Sequence, residues 1–551
     1  MKLNRTVIAI TAALGSGKSD KAMKAIGLAY RQNQKQFTLW ASLTNELSEQ
    51  SYEKFRLMFP DVPCVRIDSS TIKGDEFDED RVYDALIQIG QKAARGDFDG
   101  IVFTSHASVL AAHKGVLKLA RVIVDEIPTS AVDLITLTQL DKTYQKTLEY
   151  VQFEPCPDNP KFQKVSLKED EETLCKVHNL VNNAKEGVRT GKKTYRDNTY
   201  SKDFISLLDH LLKGYKIVYY TIRQEDADSE EKRTVHVFQA IVYEPAQKLV
   251  SNADSLIILG SNIKESMFGI MVQSDHIGAE IKESSTIMQI ELPRYHMHRN
   301  VRIVPYLTEG NISATLKEKH ISEALEERQT EYGTIADDMQ IFANRILGSD
   351  YLLFKNNDDK EYYSNYVKDY GVIVKSTQSH GQNQYRHINK AAYIAAANPA
   401  PDELKLLGVA SRDLEIGSNS MTQAVITERY LDACFQCIGR TAIRNHNDLD
   451  VPCVFVVPDM RAADYLAERI PNAFIDVNQG YKRKKTINKE VIAKRNAAAE
   501  KRKQVLISIL MDKKAKVGKM AEILKKHSIS QPTFARYRKE FKNDADIQEL
   551  L

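Results

Sequence analysis

The run Ala12-Ala13-Leu14-Gly15-Ser16-Gly17-Lys18-Ser19 constrains this chain more than any other feature. It follows the apolar segment Thr6–Thr11 and precedes residues 20–31, which place Ala and Leu on one helical side. A strand, a loop of small residues and a helix in that order form a phosphate-binding loop, here with Ala at the first position where Gly is commoner. Such a loop turns backbone N–H groups inward, so Ala13, Gly15, Ser16 and Gly17 are expected to surround the phosphates of ATP. Lys18 neutralises the β/γ charge and Ser19 binds Mg2+. The bland alternative is a Gly-Ser turn capping a helix. Residues 1–14 superficially resemble a signal peptide, but their apolar run stops at the Gly-Ser loop.

Two further elements give the loop its value. Arg121-Val122-Ile123-Val124-Asp125-Glu126 reads as a strand ending in acids, with Asp125 in the magnesium shell and Glu126 polarising the attacking water. Near the far end of the alternating pattern lies Gln436-Cys437-Ile438-Gly439-Arg440-Thr441-Ala442-Ile443-Arg444. Two Arg four apart are expected on one helical face, able to reach a triphosphate across a cleft; alone they would read as a solvated basic face. Cys434 and Cys437 overlap this run and lack a second pair or a His cluster, so packing is expected of them and no zinc site.

Apolar runs near residues 37–40, 64–67, 100–104 and 121–124 alternate with helix-like segments, which predicts an α/β fold with a parallel sheet. From about 130 to 250 the pattern breaks into an insertion, with residues 215–222 and 234–242 forming a hairpin whose long loop is the acidic stretch 224–231. A second alternating series starts near 286 and includes 351–354, 371–374, 391–397, 423–426 and 454–457, all read as strands. The expected domains are 1–280, 281–480, a basic linker helix 481–510 and a small all-α tail 511–551. Charge follows that division: residues 481–543 carry 20 Lys/Arg and 5 Asp/Glu, the last eight residues carry three acids and no base, and residues 1–480 carry 57 bases and 66 acids. A net-acidic body with a +15 segment suits a polyanionic partner. No run approaches the length of a transmembrane helix, and the six Cys have no framework spacing, so a cytoplasmic setting is expected and no membrane partner.

Taken in order, the three motifs resemble those of superfamily 2 helicases, in a divergent DEAD/DEAH-like form. The likeness extends over about residues 5–460 through Trp40-Ala41-Ser42-Leu43-Thr44-Asn45-Glu46-Leu47, Thr104-Ser105-His106-Ala107, Leu259-Gly260-Ser261-Asn262 and Leu352-Leu353-Phe354. It implies two RecA-like domains with parallel sheets and ATP between them. It also implies nucleic-acid contacts from Ser42, Thr44, Ser105 and His106, with helix capping as the alternative for the hydroxyls. Gly381, in Ser379-His380-Gly381-Gln382-Asn383-Gln384-Tyr385, sits where the family's fifth motif belongs, as in helicases of the nucleotide-excision-repair type. Those enzymes usually carry four Cys for an iron–sulphur cluster; only Cys64 lies in the corresponding interval, so no cluster is expected. Other departures are Asp125-Glu126-Ile127-Pro128 at the second motif, Ser261-Asn262 for Ala-Thr, five residues before the first strand where an adenine-reading segment would lie, and one extra residue between the Arg pair. The last of these leaves the catalytic role divided between Arg440 and Arg444, with Gln436 beside them.

The tail is read separately. Residues 519–526 and 532–541 read as two short helices, and Ile529-Ser530-Gln531-Pro532-Thr533-Phe534-Ala535-Arg536-Tyr537 resembles the turn and recognition helix of helix-turn-helix modules in site-specific recombinases. Gln531, Thr533, Arg536 and Arg538 would meet bases and phosphates of duplex DNA; the alternative is a helical hairpin with a solvated basic face. The leading expectation is a DNA helicase or translocase using ATP and Mg2+, with single-stranded DNA in the cleft and duplex at the tail. RNA is a possible substrate and replication proteins are possible partners, as in phage or mobile-element systems. The alternatives are an RNA helicase and an ATP-switched DNA-binding initiator that does not unwind processively.

Overall fold

The computed structural model describes residues 5–550 except 72–77, 157–160, 190–201, 227–228, 288–289, 327–332, 357–371, 377–383, 485–488, 516, 528, 542–544 and 549. Gly381 lies outside the described residues. Met1–Arg483 and Lys484–Leu551 form two compact units.

In the first unit the strands run β1 (Thr6–Thr11), β2 (Thr38–Ser42), β3 (Cys64–Arg66), β4 (Ile101–Ser105) and β5 (Arg121–Asp125). The inserted strands follow: β6 (Asp133–Leu140), β7 (Val151–Pro155), β8 (Gln163–Leu167), β9 (Ile217–Asp226) and β10 (Ser229–Val242). The chain then returns through β11 (Ser255–Gly260) and β12 (Glu280–Ser284). The first sheet has the order β12-β1-β11-β5-β2-β4-β3, and each of its pairings is parallel. Every residue of β2 and β4 is buried, which is why both read as unbroken apolar runs. This order brings the ends of β1, β11 and β5 together, so loop 12–19, Ser261 and Asp125 share one edge.

The insertion is a separate antiparallel sheet, β6-β10-β9-β8-β7. Its hairpin differs from the expected one in its loop: β9 runs to Asp226 and β10 starts at Ser229, so most of the acidic stretch is strand. Cross-strand pairing outweighs the poor strand propensity of Asp and Glu there. Cys156, Phe162 and Val218 of the insertion pack against Leu406 and Val409 of the helix Pro401–Asp413.

A two-residue hairpin, β13 (Thr286–Ile287) with β14 (Ile290–Glu291), leads into the second lobe. There β15 (Val301–Glu309), β16 (Leu352–Lys355), β17 (Ile373–Ser376), β18 (Lys390–Tyr393), β19 (Cys453–Asp459) and β20 (Phe474–Ile475) stack in the order β17-β16-β18-β19-β15-β20, and β21 (Tyr481–Lys482) also pairs with β15. These pairings too are parallel. The two lobes are RecA-like in strand order, and together they are the expected α/β architecture.

One segment contradicts the sequence reading. Residues 423–426 are helical, within Ser418–Ile426, and the helix continues as a π-turn over Thr427–Asp432 and then Ala433–Ile438. Ala424 and Val425 lie in the first lobe's core with Met267, Phe268 and Met271, so a short apolar run that looks like a buried strand is a buried helix face.

In the second unit the helices are Lys489–Lys514, Met520–Lys526, Gln531–Glu540 and Ala545–Gln548. Leu506, Ile509 and Leu510 of the first pack with Ile523, Leu524, Phe534 and Ile547. The last turns of that helix therefore build the tail's core as well as leading into it. Ser530 caps Gln531–Glu540, its hydroxyl accepting from Thr533 N, with Pro532 in the first turn.

Candidate nucleotide-binding site

Loop 12–19 closes with Gly15 at φ +72° and Gly17 at φ +80°, left-handed conformations that L side chains rarely adopt. Gly17 caps the helix Lys18–Arg31. Lys18 Nζ donates to Ala12 O (2.9 Å) and Ala13 O (3.1 Å). Burial pulls its ammonium down to about 8, against the opposing pull of Asp125 and Glu126. The Ala13 N–H donates to Pro293 O (2.8 Å), so the segment joining the lobes also holds the loop.

Across the sheet edge, Ser19 Oγ donates to Asp125 Oδ1 at 2.8 Å. Burial, followed by the neighbouring Glu126, pushes the Asp125 carboxyl up to about 7. Glu126 sits at φ +75°, a strained position for a glutamate that is held by its N–H donating to Leu259 O (2.8 Å). Ser19 and Asp125 are a pair of hard oxygens suited to Mg2+.

The second lobe closes the cavity, which measures about 690 Å³ and is lined by Gly17, Lys18, Ser19, Asp125, Glu126, Ser261, Glu428, Asp432, Gln436 and Arg444. Arg440 and Arg444 do not share one helical face: the helix stops at Ile438, and Ala442–Arg444 is a separate 3-10 turn. Gly439 stands at the break, and only a residue without a Cβ fits there, since a Cβ would lie 2.4 Å from Leu14 Cδ1 of loop 12–19. The two Arg consequently differ. Arg444 lies over the loop so closely that a Cβ on Gly15 would meet its Cγ at 2.1 Å, whereas Arg440 is buried and does not line the cavity. Burial lowers both guanidiniums, Arg444 to about 10, while Glu126 favours the charged form of each.

Several residues here carry no motif signal of their own. Asp432 accepts from Ser261 Oγ (3.4 Å), Tyr465 OH (3.2 Å) and Gln436 Nε2 (3.5 Å). Glu428 accepts from Met267 N (2.7 Å), and burial raises its carboxyl to about 7. Arg469 donates to Asn262 Oδ1 (2.7 Å), and His446 Nε2 bonds Leu14 O (2.9 Å). Residues 428, 432 and 436 fall at four-residue spacing, a polar stripe that was visible in sequence, and all three line the cavity.

The described residues expected at nucleic acid lie on the first lobe and in the tail. Ser42 is 1% exposed, and its hydroxyl has no partner. Thr44 caps Asn45–Met58 through Leu47 N, and Ser105 caps His106–Ala111 through Ser108 N. His106 is 3% exposed with Nε2 on Asp125 O (2.9 Å), and burial drops its ring to about 4; it supports the acidic strand end as a neutral imidazole. Cys434 and Cys437 are buried in the second lobe's core. In the tail, Gln531 and Arg538 are exposed, Thr533 is half-buried beside Ser530, and Arg536 lies on the same helix.

The chain matches no family model and no curated protein. Among solved structures it is similar to a variant of S. cerevisiae Dbp5 bound to RNA and ADP BeF3, at 7% identity over 86% of this chain and 85% of that one, with a TM-score of 0.33. It is also similar to Mss116p bound to ssRNA and AMP-PNP, at 9% identity, 99% and 84% coverage and a TM-score of 0.30. A third is the DUF1998 helicase MrfA bound to DNA and AMPPNP, at 8% identity, 86% and 50% coverage and a TM-score of 0.28. The fold assignment rests on the strand orders given above.

Proposed function

We propose that this chain is a nucleic-acid-dependent ATPase of the superfamily 2 helicase kind, coupling hydrolysis to movement on or unwinding of DNA. The observation that carries this reading is the convergence in one cavity of Lys18, Ser19, Asp125 and Glu126 from the first lobe with Gln436 and Arg444 from the second. Ser19 and Asp125 would hold Mg2+, which when bound would neutralise charge on the phosphates. Glu126 would orient and deprotonate the attacking water, Lys18 would hold the β/γ oxygens, and Arg444 would meet the charge that develops in transfer. Arg440, buried behind the cavity, would position Glu126. The contacts of Ser261 and Asn262 with Asp432 and Arg469 would let the state of the phosphates bias how the lobes sit.

DNA is favoured over RNA by the tail. An exposed, basic helix with a Ser cap and an adjoining turn suits a major groove, and the A-form major groove is too narrow to admit it. The test is ATP hydrolysis by wild type and Glu126→Gln, alone and with single-stranded DNA, duplex DNA or RNA. DNA-stimulated turnover lost in Glu126→Gln is expected. RNA-only stimulation would point to an RNA helicase, turnover without stimulation to an ATP-switched regulator, and no turnover would end the enzymatic reading.

A further inference from the structure

Beside the phosphate cavity lies a second one of about 460 Å³, sharing Gly15, Arg386 and Arg444 with it. Ser16 and Lys21 supply its first-lobe wall, Pro293 comes from the segment joining the lobes, and Asn445, His446 and Asn447 come from the loop after Arg444. Its size is ordinary for a small-ligand site, roughly 300–1,000 Å³. We propose that this cavity takes the nucleoside half, base and ribose, of the bound triphosphate, so that the base is read jointly by the phosphate loop and the second lobe. This rests on the ATPase reading above.

Three observations point there. Ser16 lines the cavity and is 7% exposed, and its buried hydroxyl has no hydrogen-bond partner. A buried hydroxyl in that state is satisfied when a ligand atom bonds it. His446 is fixed against the loop through Nε2 on Leu14 O; donating there makes Nδ1 the ring's acceptor. Asn445 Oδ1 accepts the Asn447 N–H (3.2 Å), which folds the loop into a turn whose carboxamides can give and take hydrogen bonds. Pro293 adds an apolar surface, and Lys21, Arg386 and Arg444 suit the anionic side of a nucleotide.

The position fits as well. A nucleotide held by loop amides leaves the phosphates on the side of the helix's first turn, and Ser16 and Lys21 stand on that side.

The test titrates the full-length chain with Mg·ATP and with Mg·tripolyphosphate, for wild type and Asn447→Trp. Asn447 is exposed, so Trp is tolerated at that position and fills the cavity from its rim. Expected is a loss of ATP affinity of about tenfold in Asn447→Trp, with tripolyphosphate affinity held within about twofold; retained tripolyphosphate binding also certifies the fold. Unchanged ATP affinity in Asn447→Trp, or an equal loss for both ligands, overturns the subsite while leaving the ATPase reading intact. A wild type that binds neither ligand overturns both.

Discussion

On the first lobe's side of the phosphate cavity, the chemical groups come from two short runs, 12–19 and 125–126, whose sequence neighbours are also spatial neighbours. On the second lobe's side, Glu428, Asp432, Gln436, Arg440 and Arg444 are spread over a π-turn, an α-helix, a glycine and a 3-10 turn. The first side is a preformed cradle: a loop with two left-handed glycines, a retained ammonium and a Ser–Asp pair. The second depends on how the lobes meet, through Ser261–Asp432, Asn262–Arg469 and Leu14–His446. On the function proposed above, the contrast would assign binding to one side, and conversion of binding into turnover to the other together with Glu126.

Glu126→Gln removes the expected water-activating group without touching the cradle. It should lower kcat by about 10²–10⁴-fold while nucleotide titration finds affinity nearly unchanged; a rate within about tenfold of wild type would remove Glu126 from the chemistry. Gly15→Ala and Gly17→Ala then separate the two sides. Both put a methyl on a left-handed residue, but only at Gly15 does the new Cβ strike Arg444, while around Gly17 nothing lies within 4 Å. Gly15→Ala should therefore cost turnover about 10²-fold, by displacing Arg444, and Gly17→Ala markedly less. Equal losses would mean that backbone strain alone matters.

The pH response belongs to the cradle. Below about pH 7 the raised Asp125 carboxyl holds a proton that Mg2+ must displace. Apparent Mg2+ affinity should then fall with pH, by up to about tenfold per unit, with the same slope in Arg444→Ala. The smallest effect lies in the tail: Ser530→Ala removes a cap and should cost that unit about 1 kcal/mol in thermal or denaturant unfolding, leaving unstimulated hydrolysis as it was.

The same contrast explains what was legible in sequence. Strand, loop and helix around 6–31 and the acids ending β5 were readable because a phosphate cradle is built from contiguous residues. The alternation of the first lobe followed from buried parallel strands. The second lobe hid its half of the site. Val425 and Ile426 suggested a strand, and Arg440 and Arg444 suggested one helical face, because sequence spacing carries no sign of a π-turn before them or of the helix ending at Ile438. His446 meets Leu14 across 432 positions and belongs to no local pattern. Ser42, Thr44, Ser105 and His106 matched motif positions, and the structure adds what spacing could not show: Ser42 and His106 are buried, and Thr44 and Ser105 cap helices.

The most direct test is Arg444→Ala, measured both for Mg·ATP affinity and for single-turnover hydrolysis with DNA present. A division of labour between the two sides predicts affinity within a few-fold of wild type and a hydrolysis rate lower by about 10³-fold or more. A rate close to wild type, or an affinity loss as large as the rate loss, would contradict it.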